Sequence, residues 1–140
     1  MTLQLSTTVR NARLDTIEST IGTAPLLRIY SGSMPADCAT AASGTLLAEM
    51  TLPSDWLAAA GSGQKAKSGT WQDSSANATG TAGYFRIFES TGTTCHLQGT
   101  VTATGVLVSV TAPLNALIDT LAMPGECLGD LDDVVCDVGS

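Results

Sequence analysis

The sequence predicts an all-β fold: an antiparallel sandwich or barrel, entered through one short N-terminal helix. Three observations predict it. Several short segments alternate apolar and polar residues, and they recur at intervals of roughly 10–20 residues. The segments between them are long and rich in Gly and Ser. The composition suits half-buried strand faces. Thr, Ala, Gly and Ser, at 20, 18, 14 and 13 residues, make up 65 of the 140, while only 4% are aromatic and 14% charged. Hydrophobic residues at 44% are enough for a core, and 140 residues is the usual size of one domain. No apolar run reaches the roughly 18 residues that a membrane-spanning helix needs.

Taken in order, residues 6–20 read as a helix capped by Ser6 and stopped by Gly22. Val9, Leu14, Ile17 and Ile21 fall near one face with Ala12 beside them, and Arg10, Arg13, Asp15 and Glu18 take the other. After Pro25 the period shortens to two. Residues 26–32 form a strand candidate in which Leu27 and Ile29 alternate with Leu26, Arg28 and Tyr30. A turn-rich loop covers 33–44. In the next strand, 45–53, Leu46, Ala48, Met50 and Leu52 oppose Leu47, Glu49 and Thr51, and Pro53 ends it. Residues 54–69 begin with one helical turn capped by Ser54 and continue as a mobile surface loop, with Lys65 and Lys67 at a solvated tip. A short strand and a loose loop occupy 70–83.

The strongest strand is 84–90, with Phe85 and Ile87 on one face and Tyr84, Arg86 and Phe88 on the other. Ser90-Thr91-Gly92-Thr93 turns the chain into a return strand at 94–103. There Cys95, Leu97, Gly99 and Val101 face in while His96, Gln98 and Thr100 face out. Residues 106–112 are a further strand candidate. Residues 113–123 read as a short helix, with Leu114, Leu117, Ile118 and Leu121 on one side. The chain thus divides into an N-terminal helix or arm (1–25), a β-sandwich domain (26–112) and an acidic C-terminal segment (113–140). No internal repeat is visible.

Charge and motifs narrow the function. The net charge is −7: residues 1–86 carry six acids and six bases, and residues 87–140 carry seven acids and no base. A nucleic-acid partner is not expected, since phosphate binding needs clustered Lys and Arg, and neither is a membrane. The N-terminus has no apolar core or cleavage site of a secretory signal, so synthesis in the bacterial cytoplasm is expected. Cys38, Cys95, Cys127 and Cys136 lack the spacing of a zinc or redox motif. Cys38 and Cys95 read as small buried hydrophobes, and Cys127 and Cys136 could pair on oxidation.

The single histidine, His96, follows Cys95 on a strand, so the two side chains point to opposite faces and make no nucleophile–base pair. Asp130, Asp132 and Asp133 lack the Gly and bidentate Glu of a calcium loop, and residues 61–65 lack the ending of a phosphate loop. We therefore assign no catalytic, cofactor-binding or metal-ligating residue and expect no enzyme; the expected output is surface contact. Trp56 and Trp71 read as core or rim packing, or else as the stacking face of a sugar-binding module.

Several phrases carry a resemblance. LSTTVRNARLDTIESTIGTAP (5–25), LRIYSGSMPADC (27–38), Gly44 with LLAEMTLPSDWL (46–57), KAKSGTWQD (65–73) and GTAGYFRIFESTGTTCHLQGTV (80–101) are similar to the capsid cement, or decoration, proteins of tailed bacteriophages, short-tailed phages among them. The resemblance implies a jelly roll that dimerises on the outside of the virion's head and binds across major capsid protein subunits. On that reading the segments 1–25, 33–44 and 54–83 carry the contacts. From Val106 onward the chain turns apolar and then acidic and leaves the family's Thr-rich texture. Two alternatives stand beside this reading: a tail or fibre accessory protein of the virion, and a carbohydrate-binding β-sandwich.

Overall fold

A computed structural model of the chain describes residues 4–101, together with the backbone of three short strands at 109–110, 116–117 and 122–124. Among the described residues one helix, α1 (Thr7–Ile21), leads into ten strands: β1 (Leu26–Tyr30), β2 (Leu46–Thr51), β3 (Gln64–Ala66), β4 (Gln72–Asp73), β5 (Gly80–Thr81), β6 (Tyr84–Phe88), β7 (Cys95–Thr100), β8 (Ser109–Val110), β9 (Ala116–Leu117) and β10 (Ala122–Pro124). The described fold is thus mostly antiparallel strand with one short helix, as the alternation predicts.

The ends of α1 follow from its caps. Ser6 is extended, and its hydroxyl accepts a bond from the Val9 N–H at 3.3 Å. Gly22 closes the helix at φ 88°, a conformation that a side chain resists, and its N–H donates to the Glu18 carbonyl at 2.8 Å. Leu14 and Ile21 are buried, Ile17 half-buried, and Val9 remains 44% exposed.

β1, β2, β6 and β7 form one antiparallel sheet in the order β2-β1-β6-β7. Ile29 pairs with both Ala48 and Phe85, and Leu27 with Met50 and Ile87. These residues, with Leu52, Trp56, Leu57, Trp71 and the helix residues Leu14 and Ile21, make one apolar core on one face of the sheet. β6 lies between two strands and is buried along its whole length.

Two bulges correct the simple alternation. Between Ile29 and Tyr30 the partner on β2 jumps from Ala48 to Leu46, so Leu47 is an extra residue. The bulge turns Leu47 inward to complete burial beside Ala48, where alternation assigns them opposite faces. The carbonyl of Leu47 accepts bonds from Asn77 N–H at 2.8 Å and Ala78 N–H at 3.2 Å, which lays the 70s segment along that edge. The second bulge sits at His96: Ile87 pairs with Leu97 but Phe88 with Cys95. Cys95 therefore faces the Arg86 side of the sheet, not the side of Leu97.

The remaining pairings run β5 with β8, β4 with β9 and β3 with β10, all antiparallel. Around the β6–β7 hairpin they nest one outside the next. At 116–117 and 122–124 the chain is strand, where apolar spacing suggests a helix over 113–123. Short apolar runs do not discriminate the two periods, and a partner strand decides the matter here. The acidic tail, with Cys127, Cys136 and the Asp130–Asp133 run, lies outside the described residues.

The 54–69 segment also departs from expectation. Ser54 starts no helix. Residues 56–58 run antiparallel to 66–68, with Ala58 N–H on the Ala66 carbonyl and Ser68 N–H on that of Trp56, both at 2.8 Å, and the ribbon closes at the Gly61–Gln64 bridge. Two large side chains in a row, Trp56 and Leu57, are both buried in this ribbon. Among the described residues no helix is long and apolar enough to cross a membrane.

Candidate interaction surface

Two of the three segments expected to carry contacts bind each other. Polar side chains at positions 11, 15 and 18 of α1 form a stripe one helical face wide. Asn11 Oδ1 accepts from the Gly63 N–H at 2.8 Å, Asp15 Oδ1 from Ala60 N–H at 3.0 Å, and Glu18 Oε1 from Leu57 N–H at 3.2 Å. One turn further on, the Gly22 carbonyl accepts the indole N–H of Trp56 at 3.0 Å. The helix thus satisfies the ribbon's free amides in antiparallel order.

Lys65 completes this clamp. Its side chain is 1% exposed, and its Nζ lies 2.7 Å from Asp15 Oδ1 and 3.0 Å from Glu18 Oε2. Burial disfavours the charged ammonium, but the two carboxylates outweigh it and hold the Lys65 pKa above its usual value. The bond from Lys65 and the Ala60 amide hold the Asp15 carboxyl below its usual range. Lys65 is therefore no solvated loop tip, and Asp15 and Glu18 do not simply face water; Lys67 donates to the Gly69 carbonyl near the surface.

The third segment, 33–44, covers the opposite face of the sheet. That face carries Tyr30 and Tyr84, stacked with centroids 5.2 Å apart, and Phe88 beneath the guanidinium groups of Arg28 and Arg86 at 4.6 and 5.6 Å. Arg28 pairs with Glu49 and donates to the Gly92 carbonyl at 3.1 Å. Burial works to lower the Arg28 pKa, and the Glu49 pair reverses this to a net rise. The loop is held at three points. Gln98 donates to the Pro35 carbonyl at 2.9 Å, Arg86 Nη2 to the Cys38 carbonyl at 2.7 Å, and the Tyr84 hydroxyl bonds with the backbone of Ser43. Arg86 is 98% buried, an internal fastener that hydrophobic alternation alone does not reveal.

The residues weighed for chemistry and recognition fall as follows. His96 Nε2 lies 3.5 Å from Glu89, while the Cys95 sulfur accepts from Arg86 Nε at 3.1 Å, so the adjacent residues engage different partners. Glu89 gathers the Thr91 hydroxyl and the amides of Thr93 and Thr94, which pull its pKa to about 2 and tie the β6–β7 turn. Trp56 and Trp71 are fully buried, 5.9 Å apart, and both indole N–H groups are bonded within the chain. Neither offers a face on which a sugar could stack, so the sugar-binding alternative loses the two residues it rested on.

The outer side of α1, the tip of the 33–44 loop and the Thr91–Thr94 turn are exposed and hydroxyl-rich, and many residues between 54 and 81 are exposed as well. Among the described residues the large hydrophobic side chains left exposed are Val9 at 44% and Met34 at 37%, one in each of the segments 1–25 and 33–44. Comparison with family models, curated proteins and solved structures found no match.

Proposed function

We propose that the chain is a structural protein of a tailed-phage virion: a jelly-roll cement or decoration protein that dimerises and binds across major capsid protein subunits on the outside of the head. The observation that carries this reading is the nesting of strand pairs, β6·β7 inside β5·β8 inside β4·β9 inside β3·β10. A long antiparallel ribbon that rolls up gives this order of pairs, and jelly rolls are built on that plan. The sequence phrases between residues 5 and 101 support the same family.

The physics of such a part is simple. A shell filled with DNA is strained outward, and a clip that spans two capsomers adds contact area where the strain is felt. Many symmetric copies multiply a modest gain per contact. A two-fold dimer presents one patch to its own copy and suits local two-fold positions. The clamped helix and the pinned loop give this part stiffness, and Val9 and Met34 are the anchors we assign to the capsid.

Reconstitution tests the proposal. Purified protein is added to expanded heads that lack it, from the virus whose genome carries the gene, and bound protein is measured after sedimentation. We expect saturable binding and heads that release their DNA at a higher temperature. Val9→Asp and Met34→Asp chains should fold and bind about tenfold or more weakly. Heads that sediment bare, with the added protein folded and soluble, would refute the capsid role.

A further inference from the structure

We propose that Cys38 and Cys95 form a disulfide that locks the 33–44 loop onto the β7 edge strand. The inference does not depend on what the protein binds. Residue pairs far apart in sequence seldom meet as two thiols, and here several contacts bring them together. The Cys38 thiol lies close enough to the Cys95 sulfur for the two to interact electrostatically. A single guanidinium holds both residues: Arg86 Nε donates to Cys95 Sγ at 3.1 Å, and Arg86 Nη2 to the Cys38 carbonyl at 2.7 Å. The His96 bulge is what aims Cys95 at the loop, and the bond from Gln98 to the Pro35 carbonyl fixes the loop beside it. Two cysteines held in one cluster close the bond by bringing their sulfurs to about 2.05 Å.

Accessibility gives the order of events. Cys38 is half-buried and Cys95 buried, so Cys38 meets the oxidant first. A small organic disulfide, RSSR, serves. The Cys38 thiolate attacks one of its sulfurs, forming a mixed disulfide and expelling RS⁻. The Cys95 thiolate then attacks the Cys38 sulfur and expels the second RS⁻. The two protein thiols give up two protons and two electrons, and RSSR leaves as two RSH. Burial pushes the Cys38 thiol up to about 11, so little thiolate is present at neutral pH. Closure is therefore slow near pH 7 and accelerates about tenfold per pH unit until that value is approached. The protein folds with both thiols reduced and locks afterwards.

The test uses the full chain, folded and reduced, with oxidised glutathione at pH 7 and 8. Free thiols are blocked, and the chain is cut after Lys, Arg and Glu without reductant. These cuts place Cys38 in peptide 29–49, Cys95 in 90–126 and the other two cysteines in 127–140. We expect peptides 29–49 and 90–126 to be joined, about tenfold faster at pH 8 than at pH 7, and separated again by dithiothreitol. Cleavage of the 33–44 loop by a nonspecific protease should slow about tenfold or more in the joined form. Recovery of Cys38 and Cys95 as separate glutathione adducts, as free thiols, or joined to 127–140 overturns the proposal. Loop cleavage unchanged by the bond overturns the locking.

Discussion

Replacing Lys65 by Met tests whether the N-terminal helix is part of the folded body. Methionine keeps the length and apolar stem of the side chain, so little volume is lost. What disappears is an ammonium that is 1% exposed and bonded to Asp15 and Glu18. Removing one partner of a fully buried pair costs about 3–5 kcal/mol. Here the carboxylates keep 50% and 22% of their surface in water and can rehydrate, so the cost falls to about 1–2 kcal/mol. In a domain of this size that is a fall in Tm of roughly 3–6 °C.

The pH dependence is more discriminating than the magnitude. The Asp15 pKa is lowered by folding, so the pair's contribution is present above the unfolded carboxyl pKa, near 4, and is lost as pH falls through the lowered value. Urea denaturation of both proteins at pH 7 and at about pH 2.5 reads this directly. The deficit of Lys65→Met should be full at pH 7 and shrink at the acid end. A deficit of the same size at both pH values, or none at pH 7, would refute the clamp.

Other expectations follow from the same contacts. Trp71→Ala empties a fully buried site beside Trp56 and should destabilise the fold by about 3–5 kcal/mol in denaturant titrations. A chain lacking residues 1–20 loses Leu14 from the core and both carboxylates from Lys65, so circular dichroism should show a loosened or unfolded product and not a trimmed, stable domain. Gly83→Ala would place a Cβ 1.9 Å from the Gly32 carbonyl oxygen, so the chain just beyond β1 must shift, and the folded yield should collapse; Gly61→Ala meets nothing within 4 Å and should be silent.

Much of the fold is legible in the sequence because local chemistry and final position agree. Ser6 and Gly22 mark both ends of α1, and the parity of Leu27, Ile29, Phe85 and Ile87 marks the core face of the sheet. The failures share a cause. Each bulge, at Leu47 and at His96, inserts one residue and reverses the parity beyond it, and nothing in composition announces it. Lys65 reads as solvated because its partners are distant in sequence. The signal that could have found them is the stripe Asn11, Asp15, Glu18, which is too regular for a face that meets only water. The strands at 116–117 and 122–124 are set by their pairing with β4 and β3, which no window along the chain contains.

The copy number of this protein in purified virions, from mass spectrometry calibrated against the major capsid protein, bears most directly on the fastener role. A fastener of the shell should be present in on the order of hundreds of copies per particle, in fixed proportion to the shell subunits. A count of a few copies, as a tail ring would give, or none at all, would contradict it.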